Sequence, residues 1–417
     1  MIINYITYGL LAVLLLADGK FAWRKGEFHE DSASLEVTKN LRGFAAIGVL
    51  IHHISQNQAF QMANGYNRPG ILFGFVNAGY LFVAIFFFCS GFGLIKSLMT
   101  KENYFDGFIK KRVVKTLVIP FYINVFLYAI FIVATGQKLA VQRWIANFLG
   151  LCLMNEYAWF PIVCAILYLA FYFIFKNIKN RPLCYGLMLA VILLQGVFFS
   201  INGHFAWWSG PKNWWLNPAL TYKAKWWQEQ GVIWFFGEWW VNSSIAFFIG
   251  MLFAQFEEKI RNWFKKLYWL KLILVIVLYV IARFCSMMAQ GMFGYWSEFS
   301  GKGPGILNKF ICYCVQLPEV SLFVIMIFAI MLVYKVQNPV LKFFGNVSFE
   351  TYMMNLIPIT VFDLIIFQNK LIPGLVAKPG NTDVRLLGLY AVAVIATTVL
   401  LGLLFKFLCK IATKRIK

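Results

Sequence analysis

Along the whole chain, apolar runs alternate with short polar segments. The runs are about 17 to 25 residues long, the length an α-helix needs to cross about 30 Å of hydrocarbon. The pattern predicts eleven spans, within a range of ten to twelve, at roughly 2–17, 41–56, 74–98, 114–134, 158–175, 184–200, 240–256, 268–288, 315–334, 349–368 and 386–408. The second is short, and 142–153 reads as a further half-span. Short strands of alternating polarity, as in a membrane barrel, are absent. No sequence repeat, soluble domain or low-complexity tract interrupts the rhythm. The fold class expected is therefore all-α, a polytopic transmembrane helix bundle forming one integral-membrane domain over 1–417. Residues 1–17 lack a basic start and a small-residue cleavage site, so they are expected to be a first span and not a removed signal.

Composition strengthens this picture. The 417 residues are 61% hydrophobic and only 13% charged, about half the charge of a soluble domain. A net charge of +21 would point to nucleic acid in a soluble protein. Here the cations cluster in short loops, which fits membrane topology and anionic lipid as partner, with no nucleic acid. If the 18–40 loop is cytoplasmic, the cytoplasmic segments hold 26 of the 38 Lys and Arg. That asymmetry places the N-terminus outside and the C-terminus in the cytoplasm. The eight cysteines lie mostly within or beside spans and show no metal spacing, so they are expected to be buried apolar residues, with no metal bound.

One apolar stretch carries unexpected chemistry. "LRGFAAIGVLIHHISQ", residues 41 to 56, opens with Arg42 and holds two of the four histidines, His52 and His53. On an α-helix, eleven residues advance about 16 Å and make three turns plus roughly 20°. Arg42 at the inner mouth and His53 deep in the membrane therefore share a face, and His52 points about 80° away. Gly43, Ala45, Ala46 and Gly48 allow close helix packing. Ionisable groups at such depth face a cavity or a partner. Taken alone, a snorkelling arginine and hydrogen-bonded interior histidines are the plainer reading of the stretch.

Further motifs tip the balance. Arg, ten residues, then His in "LRGFAAIGVLIHH" resembles the signature of acyltransferase family 3, membrane-embedded enzymes that commonly O-acetylate surface polysaccharides. "FFFCSGFGL" (86–94), "FIKKRVVKTLVIPFY" (108–122), "AWFPIVCAILYLAFYF" (from 158) and "FFGNVSFETYMMN" (343–355) resemble the family's further motifs in the expected order. The resemblance implies a family core at about 38–410, with the first span additional to it. It implies that acyl-CoA, commonly acetyl-CoA, approaches from the cytoplasm of a plasma-membrane protein. His53 would be the catalytic base on a hydroxyl of a cell-surface or lipid-linked glycan reached from the outer side. Imidazole titrates near working pH and suits that task. Arg42, Lys111, Arg112 and Lys115 would bind CoA, with Arg42 suited to two-point phosphate contact. Arg112 and Lys115, three apart, would share an α-helical face. Ser90, Trp159, Glu238 and Asn355 are the candidates on the substrate side.

The chain departs from the family pattern in places. Phe349 stands for the usual Tyr, Asn355 for the usual His, and Cys164 for a Glu found in many relatives. Asn355 is expected to supply a hydrogen bond, and Ser90 is expected to serve packing more than attack. Glu156 and Glu350 are weak candidates for a carboxylate beside His53. The segment 204–240 holds nine of the fifteen tryptophans and His204, and reads either as an interfacial belt or as a glycan platform. Arg283, inside a span, is expected to face a cavity. Against the enzyme stand two alternatives: a transporter or exporter of a lipid-linked or glycan intermediate, and a catalytically inactive sensor.

Overall fold

A computed structural model of the chain describes residues 2–22, 28–63, 73–139, 141–150, 153–155, 157–202, 237–293, 305–368 and 384–414. The helices are α1 (Ile2–Leu16), α2 (Leu35–Ala63), α3 (Phe73–Val76), α4 (Gly79–Thr100), α5 (Ile109–Ala134), α6 (Val141–Phe148), α7 (Phe160–Asn177) and α8 (Arg181–Asn202). They continue with α9 (Gly237–Gln255), α10 (Glu257–Lys265), α11 (Tyr268–Met292), α12 (Gly305–Val333), α13 (Pro339–Asn346), α14 (Ser348–Met354), α15 (Leu356–Phe367) and α16 (Val384–Lys414). Two residue pairs, β1 (Lys20–Phe21) and β2 (Tyr334–Lys335), bond antiparallel with Lys20 opposite Lys335.

The protein is a helical membrane bundle. Among the described residues six helices are long and apolar enough to cross a bilayer, and α14 with α15, bent by 43°, makes a seventh candidate. Three expected spans correspond to shorter apolar helices, Tyr5–Leu16, Arg181–Val197 and Ser243–Gln255. The expected 41–56 span lies inside α2, a 29-residue helix carrying Glu36, Lys39, Arg42 and both histidines. Its polar content keeps it out of the apolar set. Of the expected half-span at 142–153, the described part is α6 through Gly150 and Leu153, and residues 151 and 152 lie outside the described residues.

The chain forms two compact units, residues 1–86 with 331–417, and residues 87–330. In the first, side chains satisfy the last carbonyls of α1, which a helix end leaves without partners. The Tyr334 hydroxyl donates to the Leu15 carbonyl (2.5 Å) and Asn338 Nδ2 to that of Leu14 (2.6 Å). Asn338 also caps α13, accepting from the Leu341 N–H at 2.8 Å with Pro339 at the first helical position. Lys335 pairs with Asp31 and holds its carboxyl below the usual carboxylate range.

Backbone contact between α2 and α13 fixes the frame around the histidines. A Cβ on Gly43 would lie 1.9 Å from the Leu341 carbonyl oxygen, and one on Gly345 2.1 Å from that of Lys39. Neither backbone can retreat, so Gly345→Val is expected to cost about 1–3 kcal/mol or more and to lower the unfolding midpoint in detergent. Gly93→Ala, where a Cβ meets nothing within 4 Å, is the control and leaves the midpoint unchanged or higher.

In the second unit α4 and α9 cross the same way. A Cβ on Gly91 would reach 2.0 Å from the Phe247 carbonyl oxygen, and one on Gly250 2.2 Å from that of Phe88. The residue after Ser90 is thus a helix-packing position. The described cysteines are free, but they are not all buried as expected. Cys285 and Cys314 lie on exposed helix surface, where apolar residues of a membrane bundle also sit.

Candidate functional site

The adjacent histidines of α2 have different partners. His52 Nδ1 lies 2.6 Å from the Phe75 carbonyl oxygen, and its ring rests against Gly79. A carbonyl only accepts, so Nδ1–H donates, and His52 ties α2 to the α3–α4 connection. The His53 ring turns to the other wall. Its Nδ1 lies 3.0 Å from Asn355 Oδ1, 302 residues away in sequence. The two imidazole centroids are 5.2 Å apart, the Tyr352 ring lies 6.2 Å from His53, and His53 is 4% exposed.

The Asn355 contact fixes the chemistry of the imidazole. An amide oxygen cannot donate, so Nδ1 carries the proton and gives it to Oδ1. In the neutral ring Nε2 is then the nitrogen with the lone pair, the form a general base requires. Sequence also explains why Asn355 stands where it does. Pro358 has no N–H to offer the Met354 carbonyl four residues back, and its ring crowds that turn. The helix breaks between α14 and α15 with Asn355 at the bend. Pro358 is a signal in "NLIPIT" that the motif reading passed over, and Tyr352 was likewise missed.

Arg42 sits on the same unbroken α2, half-buried. Its Nε is buried with no hydrogen-bond partner among the described residues, a donor ready for an anion. Of the expected carboxylates near His53, Glu350 lies 3.9 Å from Lys406, and Glu156 lies outside the described residues.

The remaining candidates belong to the second unit. Residues 109–118 at the start of α5 are wound with i→i+5 hydrogen bonds, and the Thr116 hydroxyl donates to the Lys111 carbonyl at 2.7 Å. The wide winding precedes Pro120, whose missing N–H and bulky ring disfavour an ordinary α-helical turn behind it. This corrects the expected pairing on one face. Residues four and five apart overlie one another in such a turn, so Lys111 aligns with Lys115, and Arg112 with Thr116. Lys111 is exposed, and Arg112 and Lys115 are half-buried. Trp159 caps α7, is 4% exposed and stacks on Phe87 with centroids 6.4 Å apart. Ser90 lies near the hydroxyl of Tyr168.

Arg283 has a partner that sequence did not identify, Glu319 of α12, with Nη1 2.8 Å from Oε1. The side chain of Glu238, and residues 203–236 with His204, lie outside the described residues. No group of three metal-binding side chains occurs among the described residues.

A family model described as "Acyltransferase domain" matches residues 39–406. Neither a curated protein nor a solved structure matches the chain.

Proposed function

The chain belongs to acyltransferase family 3 and is a multi-pass membrane acyltransferase, and from that premise we propose its donor, acceptor and base. The donor is acyl-CoA, in the simplest case acetyl-CoA, entering from the cytoplasm. The acceptor is a hydroxyl of a cell-surface or lipid-linked glycan at the plasma membrane, with the N-terminus outside and the C-terminus inside. The observation that supports His53 as the base most is the 3.0 Å contact between His53 Nδ1 and Asn355 Oδ1.

The reaction follows from that tautomer. His53 Nε2 takes the proton of the acceptor hydroxyl as its oxygen attacks the thioester carbonyl. The tetrahedral intermediate collapses, the C–S bond breaks, and the CoA thiolate takes the proton back from the imidazolium. The ester and free CoA leave, and His53 is again neutral. Throughout, the Nδ1–H bond to Asn355 holds the ring in place, the task usually given to a third residue in such sites. Arg42, about 16 Å nearer the helix start, is the proposed contact for CoA phosphate, together with Lys111, Arg112 and Lys115. Ser90, Trp159 and Glu238 are proposed on the acceptor side.

The purified protein in proteoliposomes, supplied with radiolabelled acetyl-CoA and candidate glycans, is expected to release CoA and label the glycan. No release with any acceptor, while a glycan crosses the bilayer, would instead establish a transporter. The Asn355 contact makes a sharper forecast. Asn355→Leu should lower kcat at least about 10–100-fold, the scale known for partners that orient metal-bound histidines. KM for acetyl-CoA should barely move. Asn355→Asp keeps an accepting oxygen and should retain most activity. Full activity in the leucine variant would remove the tautomer argument.

A further inference from the structure

Between α9 and α11 the chain forms a short amphipathic helix. Helix α10 turns Phe264 inward (1% exposed) and leaves Trp263 55% exposed. Of its acidic groups, Glu257 is taken by Lys96 and by Arg261 at 3.3 Å, and Glu258 is exposed. Lys259, Lys265 and Lys266 are exposed, and among the described residues none of them meets a carboxylate. Lys259 and Trp263, four apart, share one flank.

The corner after α10 is fixed. Lys271 of α11 holds its Nζ 4.0 Å from the Trp263 ring centroid and donates to the Trp263 carbonyl. Leu267, between the two helices, takes a left-handed backbone with φ 56. Beyond the corner, α11 exposes Trp269, Leu270, Ile273 and Leu274, an apolar row that follows the exposed cation Lys266 and is crossed only by half-buried Lys271, which is turned back to Trp263. Cations on one arm and uncovered apolar surface on the next match the two ends of a phospholipid.

We propose that the α10–α11 corner is a binding site for anionic phospholipid. Lys259, Lys265 and Lys266 hold headgroup phosphates, the Trp263 indole sits among the headgroups, and acyl chains lie along the row from Leu270 to Leu274. A soluble phosphate would engage the cations alone, and the apolar row is what commits the site to lipid.

The test titrates delipidated protein in detergent with phosphatidylglycerol or phosphatidylcholine and counts bound lipids by native mass spectrometry. Phosphatidylglycerol should bind with preference. Each surface cation contributes about fivefold, so the triple variant Lys259→Gln, Lys265→Gln, Lys266→Gln should weaken it about a hundredfold. A control triple of exposed lysines, Lys101→Gln, Lys179→Gln, Lys410→Gln, should leave it unchanged. Equal losses in the two triples would mean only general charge attraction and would overturn the site. So would unchanged binding in the first triple. Saturable binding of inorganic phosphate with the same lysine dependence would overturn the lipid assignment. Because no arm measures acyl transfer, failure here leaves the catalytic proposal untouched.

Discussion

His53→Ala is expected to lower CoA release by about 10²–10⁴-fold, the contribution of a positioned general base. The loss should fall on kcat, because His53 is not placed at the mouth where donor phosphates would bind. Removing a buried ring also leaves a cavity, so His53→Gln, closer in size, is the companion variant. Both should keep the wild-type elution profile, and neither should alter retention of acetyl-CoA at equilibrium. His52→Ala is the internal comparison. His52 donates to the Phe75 carbonyl and rests against Gly79, so its loss should show first in stability. If His53→Ala turns over at the wild-type rate, the base lies elsewhere and the reaction proposed above is wrong.

Much of this site was legible in sequence because α-helical geometry is regular. The eleven-residue separation of Arg42 and His53 becomes a shared face once α2 runs unbroken through both, and Leu35–Ala63 does. The small residues of that stretch meant close packing, and Gly43 meets the Leu341 carbonyl oxygen. The family's last motif also reads physically. Gly345 admits the backbone of α2, and Asn355 stands on the bend that Pro358 makes. A motif gives the order of such residues but not their contacts across 302 positions.

Irregular winding hid the rest. The face shared by Arg112 and Lys115 assumed 3.6 residues per turn, and the i→i+5 turns of 109–118 replace that pairing. Local spacing carries no sign of this except Pro120. The break at Asn355 was readable from Pro358, yet hydropathy averages over a span and is blind to where it bends. The Arg283–Glu319 pair was unreadable for another reason. Its two members lie on separate helices, and a sequence offers many carboxylates for one buried arginine.

That pair makes the second large prediction. Glu319 is fully buried and Arg283 is 21% exposed on its side chain. Removing one partner of a buried pair costs about 3–5 kcal/mol because the other charge is left without compensation. The two halves should not cost the same. Arg283→Met takes from Glu319 its guanidinium contact in the interior, where a carboxylate has no flexible stem to carry it to water. Glu319→Leu strands Arg283, whose long side chain is already partly exposed and can reach toward the interface. Arg283→Met should therefore lower the unfolding midpoint more than Glu319→Leu. The double variant should recover most of the loss, since an apolar pair of similar volume carries no desolvation penalty. Thermal unfolding of the four proteins in one detergent completes the double-mutant cycle. Additive losses would show that the two side chains do not stabilise each other, and an inverted order would place the deeper charge on α11 and not on α12.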